Sequence, residues 1–293
     1  MKKEIRILGI PMDLGQNKRG VDMGSGAIRY ARLLSKLIDL GYKVKDLGNI
    51  EVPVRDSLSE DKLLSTICQT CEKVYQKSRE IVKEGSIPIF LGGDHSISIG
   101  TIGGVTHESP CGVIWIDAHG DFNTHSSSPS GNVHGMPMAV LSGIGDKALT
   151  ELGRPGKKVP AEDVVLLAIR SLDPGEKSNL KKSGVTVFTM RDIDKQGISA
   201  IADQALAKLA HLPRIHVSLD MDSLDPSIAP GVGTPVPGGL TRREAHFLME
   251  TIAETGRCCS MDIVEINPLV DQNNETSQFA VELTQSLFGK RIL

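Results

Sequence analysis

The segment "VIWIDAHGDFNTH", residues 113–125, passes from an apolar run straight into Asp117, His119 and Asp121, three metal-capable side chains at every second position. Side chains two apart in an extended chain face one side. The three therefore converge if the strand conformation persists through Gly120. An isolated Asp-x-His-x-Asp reads equally well as three unrelated loop residues. A second stretch does the same: "VSLDMDSLDP" ends an apolar run in Asp220 and Asp222, again two apart. Like charges side by side at a buried strand end are costly unless a cation compensates them. Asp225, just before Pro226, reads as a turn or helix cap instead. "LGGDHS" adds His95 behind the Gly92-Gly93 turn, with Asp94 beside it to orient a histidine or backbone amides.

Together His95, Asp117, His119, Asp121, Asp220 and Asp222 offer two imidazoles and four carboxylates. One divalent cation leaves half of that negative charge uncompensated. Two neutralise it and leave carboxylates free to bridge, which is the ligand set of a two-metal hydrolytic site. Oxygen and imidazole without thiolate suit Mn²⁺ better than structural zinc; ligand type alone leaves Fe²⁺, Co²⁺ and Zn²⁺ open.

These residues must be held by strand ends. Strand-like runs are expected at 4–10, 42–48, 87–93, 111–119, 163–170, 185–190, 214–222 and 258–267. Helical spacings of three and four are expected at 26–41, 59–85, 96–107 and near 197–211, 241–255 and 275–288. The alternation predicts a three-layer α/β/α architecture around a mainly parallel sheet, and the absence of a linker predicts one domain over 1–293. "GGDHS", "DAHGD", "DMDSLDP" and "EINP" all follow strands. In such sheets ligands bind beyond the carboxyl ends of the strands, so the four motifs gather along one edge. The polar stretch 121–135, "DFNTHSSSPSGNVHG", reads as a substrate loop.

Composition narrows the class. Of 293 residues, 24% are charged and 40% apolar, with a net charge of −3, so no basic excess drives binding to nucleic acid. Aromatics at 3% supply no base-stacking platform. No 18-residue apolar stretch or secretory leader is visible, and the five cysteines are an odd number, which together predict a cytoplasmic protein without a membrane partner. Cys68 and Cys71 lie in a helical pattern without a second such pair, so a metal or redox role is not expected of them.

With these motifs in view, the whole chain resembles the ureohydrolase family, and most closely its arginase branch of bacterial type. The resemblance rests on "GIPMDLGQNKRGVDMG", "LGGDHS", "IDAHGDFNT", "SPSGNVHGMP", "SLDMDSLDP", "GVGTPVPGGLTRRE" and "VEINP", in that order. It implies two Mn²⁺ per subunit, one held by His95, Asp117, Asp121 and Asp220 and the other by His119, Asp117, Asp220 and Asp222. It implies hydrolysis of L-arginine to L-ornithine and urea in a homotrimer or homohexamer. Asp121 is then the candidate proton donor to the leaving amine, and His134 the group that moves protons to and from solvent. Glu265 ends an apolar strand without an evident partner and suits a guanidinium; Thr234 adds a hydroxyl nearby. Asn123, Ser130 and Asn132 match the pattern that recognises the α-carboxylate. Asp173, with Glu176 as a second candidate, matches the pattern near the α-ammonium, although an Asp before Pro174 also starts turns.

Two positions depart from the pattern: "DMGSGA" lacks an expected proline and puts Gly26 at a helix start, and Ser171 replaces an acidic residue. Competing expectations are another ureohydrolase acting on agmatine, guanidinobutyrate or formiminoglutamate, and a non-catalytic metal-binding homologue. A two-metal phosphoesterase would want cations beside the ligands, where only Arg170 is found.

Overall fold

The computed structural model describes residues 2–291. Eight strands, β1 (Ile5–Gly9), β2 (Val44–Asn49), β3 (Ile87–Leu91), β4 (Gly112–Ile116), β5 (Val164–Ile169), β6 (Thr186–Thr189), β7 (Ile215–Asp220) and β8 (Cys258–Val264), form one sheet. Its order is β2-β1-β3-β8-β7-β4-β5-β6, and every pairing is parallel. The predicted α/β architecture is the one observed. β4, β5 and β7 are buried along their whole length, as a sheet covered on both faces requires.

Eleven α-helices lie between and after the strands among the described residues. They are α1 (Gly24–Tyr30), α2 (Leu33–Asp39), α3 (Glu60–Lys83), α4 (Ser98–Glu108), α5 (Pro137–Leu141) and α6 (Lys147–Thr150), followed by α7 (Pro174–Ser183), α8 (Met190–Gln196), α9 (Ile198–Lys208), α10 (Arg242–Glu254) and α11 (Glu275–Leu287). The single helix expected over 26–41 is two: Arg32 takes a left-handed φ of 68° and breaks it. Gly26 sits inside α1 with open space around it, so its departure from the family pattern touches local helix stability and no site residue. α7 is an element the sequence reading lacks; Asp173 caps it, with Glu176 completing a capping box. α11 is buried along most of its length, with Phe279, Ala280, Leu283 and Leu287 in the main core, so it is a core helix.

The strand order positions the chemistry. The four strands that carry the motif-bearing loops, β3, β8, β7 and β4, are adjacent in the middle of the sheet. His95 follows β3, Glu265 follows β8, Asp220 ends β7 and Asp117 follows β4. Residues as far as 170 positions apart thus meet at one edge because parallel crossovers return every strand in the same direction.

Candidate metal centre and substrate cleft

Asp117 is the hinge of the site. β4 stops at Ile116, so the alternation of Asp117, His119 and Asp121 is not the pleat of a continuing strand, as the sequence suggested. Asp117 instead folds the chain over itself: its Oδ1 accepts the His119 backbone N–H at 2.7 Å, and its Oδ2 accepts Trp115 Nε1–H at 3.0 Å. Asp121 then takes a left-handed φ of 49°, and its carbonyl accepts the Met138 N–H at the start of α5. β7 ends the same way, with Asp220 Oδ1 accepting the Asp222 N–H at 2.8 Å at the start of a 3-10 turn.

The result is convergence by turns. His95 Nδ1 lies 3.2 Å from Asp117 Oδ2, 3.1 Å from Asp121 Oδ2 and 3.2 Å from Asp220 Oδ2. On the other side of Asp117, His119 Nδ1 lies 3.4 Å from Asp117 Oδ1 and 3.2 Å from Asp222 Oδ2. Two potential cation cages therefore share Asp117: one of His95, Asp117 and Asp121, the other of Asp117, His119 and Asp222. His95 is fixed from behind. Its Nε2 meets Ser218 Oγ at 2.9 Å and its ring stacks on Trp115 at 3.8 Å, leaving Nδ1 aimed at the carboxylates. That Nδ1 is buried without a hydrogen bond while three carboxylate oxygens face it, the arrangement expected where a cation binds between them. By donor chemistry and by this orphaned atom, the residues fit a pair of hard or borderline divalent ions.

The electrostatics agree. Burial, then the neighbouring charges of Asp222 and Asp117, push Asp220 well above the usual carboxylate range. Burial and Asp117 push Asp121 up to about 6. Burial opposes charge on His119, yet Asp222 and Asp117 drive it up to about 12. The buried acids Asp121 and Asp220 thus retain protons at a pH where free aspartate has none, and a metal ion must displace them. Occupancy measured by equilibrium dialysis against Mn²⁺ is accordingly expected to fall as pH drops through about 6, where Asp121 protonates. Unchanged occupancy down to a pH of about 4, the ordinary aspartate value, would show that these groups are not the ligands.

Asp94, fully buried, accepts the backbone N–H groups of Gly15 at 2.8 Å and Ser96 at 3.0 Å, and so ties the chain's first loop to the β3 end. Arg170 anchors the Asp222 turn. Its guanidinium donates to the carbonyls of Asp222 at 2.7 Å and Val236 at 2.6 Å, coupling that turn to the loop that carries Thr234. Thr234 Oγ1 in turn donates to Asp222 Oδ2 at 2.8 Å. Asp225 caps its own turn, accepting Ser227 N–H at 3.0 Å and Gly238 N–H at 2.8 Å, away from the cages.

A cleft of about 310 Å³ opens from the cages, with Asn123, Ser130, Asn132, His134, Asp173 and Thr234 in its wall. Asn123 Nδ2 donates to Asp173 Oδ2 at 3.0 Å, which joins the two proposed head-group contacts into one unit. Asn132 N–H donates to Ser130 Oγ at 3.2 Å. Glu176 also borders the cleft, but it is nearly buried and accepts the Phe122 N–H at 3.0 Å and the Asp173 N–H at 3.2 Å, so it braces the loop behind Asp121. Burial pushes its carboxyl up to about 7.

Glu265 is not the unpartnered strand-end acid expected from sequence. It is buried at a φ of 63°, where Oε1 accepts His95 N–H at 2.9 Å and faces His134 Nδ1 at 3.1 Å, and Oε2 accepts Gln16 Nε2–H at 2.8 Å. It stands behind His134 and at the rear of the metal cages. Burial works against a charge on His134, but Glu265 outweighs it and raises the imidazole to about 9. Gln16, Trp115 and Ser218 were missed by sequence reasoning. Trp115 and Ser218 carry the one available signal: each lies two residues before an acid of the site, Asp117 and Asp220.

The chain matches the model of the arginase family over residues 3–289. It is 48% identical over 297 residues to arginase from Bacillus subtilis, covering all of both chains, and 46% identical to arginase from Bacillus caldovelox, covering 99% of this chain and all of that one. Its structure superposes on a crystal structure of the Bacillus subtilis arginase with a TM-score of 0.95 at 47% identity, each chain covered completely. Formimidoylglutamase from Bacillus subtilis is more distant, with a TM-score of 0.78 at 26% identity over 98% of this chain and 86% of that one.

Proposed function

The chain belongs to the arginase family, and from that premise we propose how it hydrolyses L-arginine to L-ornithine and urea: at a binuclear manganese centre held by His95, Asp117, Asp121, Asp220, His119 and Asp222. The observation that carries this reading is the pair of cages sharing Asp117, with the buried His95 Nδ1 aimed at three carboxylates. When bound, the metal pair supplies a nucleophilic hydroxide at neutral pH.

The remaining work falls to the chain. Asp121, which stands in one cage and also lines the cleft, is proposed to take a proton and return it to the leaving amine. His134 stands in the cleft wall, partly open to solvent, and is the group proposed to exchange that proton with bulk water. Glu265, charged and buried, supplies the negative potential that favours a guanidinium, and Thr234 orients Asp222. At the far end, Asn123, Ser130 and Asn132 offer amide and hydroxyl groups to the α-carboxylate, and Asp173 offers an acid to the α-ammonium, with Glu176 steadying Asp173.

The test is urea release from arginine and, separately, from agmatine by metal-stripped protein before and after Mn²⁺ is added. Manganese-dependent release from arginine supports the reading, and preference for agmatine overturns the head-group assignment. A sharper version uses Ser130→Ala with Asn132→Ala. KM for arginine is expected to rise by roughly tenfold or more while that for agmatine, which lacks a carboxylate, stays within about twofold. Equal effects on both substrates would remove these residues from substrate recognition.

The proposed assembly is a homotrimer or homohexamer in the cytoplasm. Five free thiols suit a reducing compartment. No helix among the described residues is long and apolar enough to cross a membrane.

A further inference from the structure

At the opposite edge of the sheet, around the first residues of β3 and β8, lies a cavity of about 580 Å³. Cys258 and Cys259 line it, together with Lys2, Lys3, Arg214 and Arg257. Among the described residues none of these four cations is paired with a carboxylate. Lys2 donates to the Leu40 carbonyl, Arg214 to that of Ser109, and Arg257 to those of Leu209 and Leu212. The cavity is therefore electropositive.

β8 is irregular at this point. Cys258 pairs with Ile215 and Ser260 with His216, so Cys259 is the extra residue of a bulge. Its Sγ lies 3.5 Å from Ser260 Oγ, which lies 2.8 Å from His216 Nδ1, and His216 Nε2 lies 3.3 Å from Asp262 Oδ2. His216 and Asp262 are fully buried and serve neither metal cage, and His216 Nε2 and Asp262 Oδ1 each lack a hydrogen bond. Thiol, hydroxyl, imidazole and carboxylate thus stand in file from a cavity wall into the core. Such a file offers the thiol proton a hydrogen-bonded path inward through Ser260 toward His216.

We propose that Cys259 is a thiol-modification site that forms a mixed disulfide with an anionic low-molecular-weight disulfide seated among Lys2, Lys3, Arg214 and Arg257. The Cys259 thiolate attacks one sulfur of the reagent. A new Sγ–S bond forms, the reagent's S–S bond breaks, and the second half leaves with the electron pair as a thiolate that takes up a proton. Cys259 is oxidised, the released thiol is the reduced product, and no other oxidant is needed.

The mixed disulfide is the end point. Cys111 also hydrogen-bonds Cys259, but it precedes β4, and β7 lies between β4 and β8. The strand between them separates the two chain segments, and the mixed disulfide, not an internal bridge, is the proposed end point. The groups facing Cys259 are Cys111, Arg214, His216, Ser260 and Cys258; the Cys111 hydrogen bond first, then Arg214, Ser260 and His216, outweigh burial and lower the thiol to about 6. Burial pushes Cys68, one of the two thiols on α3, up to about 11. A lower pKa gives more thiolate but a weaker nucleophile; the gain in thiolate outweighs the loss, so Cys259 is expected to react ahead of Cys68.

The experiment treats the full-length protein with glutathione disulfide at pH 7 and follows intact mass and peptide maps. One glutathionyl group on Cys259 is expected, formed faster at low salt, and absent in Cys259→Ser. Uncharged hydroxyethyl disulfide should show no such salt dependence. Ser260→Ala keeps all thiols but breaks the file, and should move the pH midpoint of the reaction upward. First labelling at Cys68 or Cys258, an intramolecular Cys111–Cys259 disulfide, no adduct, or a wild-type midpoint near the ordinary cysteine value of about 8.5 would each overturn the proposal.

Discussion

Asp117→Asn is expected to lower kcat/KM for arginine by roughly a thousandfold or more, about 4 kcal/mol of transition-state stabilisation. Asp117 is common to both cages, so its loss weakens two sites, where loss of His95, Asp121, His119 or Asp222 removes a ligand from one. The substitution is nearly isosteric but cannot reproduce the contacts. Oδ2 accepts Trp115 Nε1–H and Oδ1 accepts His119 N–H, so either orientation of the amide turns an NH₂ toward a donor. That mismatch costs about 1–3 kcal/mol. Against it, the mutation removes one of four buried like charges that raise Asp121, Asp220 and Asp222. The melting temperature of metal-free protein therefore moves by a difference of opposing terms and says little. The diagnostic quantity is the increment on adding Mn²⁺, because a ligand that binds only the native state stabilises it more the tighter it binds. Wild type should gain a clear increase and Asp117→Asn little or none. A variant that keeps both the metal-induced shift and turnover would refute the shared-carboxylate assignment.

Much of the clustering was legible because metal-capable residues come in pairs at strand ends, and paired acids after buried apolar runs have few inexpensive explanations. The sheet order was not legible in detail, yet the rule that parallel strands present their carboxyl ends together sufficed to predict one edge. Local conformation was less readable. The alternation of Asp117, His119 and Asp121 suggested a pleat, whereas the side chain of Asp117 closes a turn on the His119 amide; spacing by two is shared by strands and by such turns. The break at Arg32 has no proline or glycine to announce it, since the apolar spacing runs on through both α1 and α2. α7 begins Pro-Gly and carries little apolar periodicity, so its signal lay in the Asp173–Glu176 capping box, a spacing that reads equally as two substrate contacts. Glu265 shows the deeper limit. Its partners, Gln16, His95 and His134, are 249, 170 and 131 residues away, and no local pattern records them.

That long-range hub makes Glu265→Gln the second informative substitution. The hydrogen-bond pattern can survive it. Gln16 Oε1 is buried without a partner, so a rotation of the Gln16 amide lets it accept from the new amide, while the carbonyl of the substituted side chain still receives the His95 N–H. The charge, however, is lost. Without it the cleft loses the buried carboxylate proposed to favour the guanidinium, and kcat/KM for arginine is expected to fall roughly a hundredfold, near 2.7 kcal/mol. The same change acts on His134, whose elevation to about 9 is due to Glu265 against the pull of burial. With the carboxylate neutral, burial is opposed only by the weaker effects of Asp121 and Asp94, so His134 gives up its proton at lower pH. The limb of the pH–rate profile set by His134 should therefore move toward acid, whereas a merely structural defect would lower the rate at every pH alike. A variant within about threefold of wild type with an unmoved limb would leave Glu265 as a brace for the His95 loop and would require another source for both the guanidinium preference and the poise of His134.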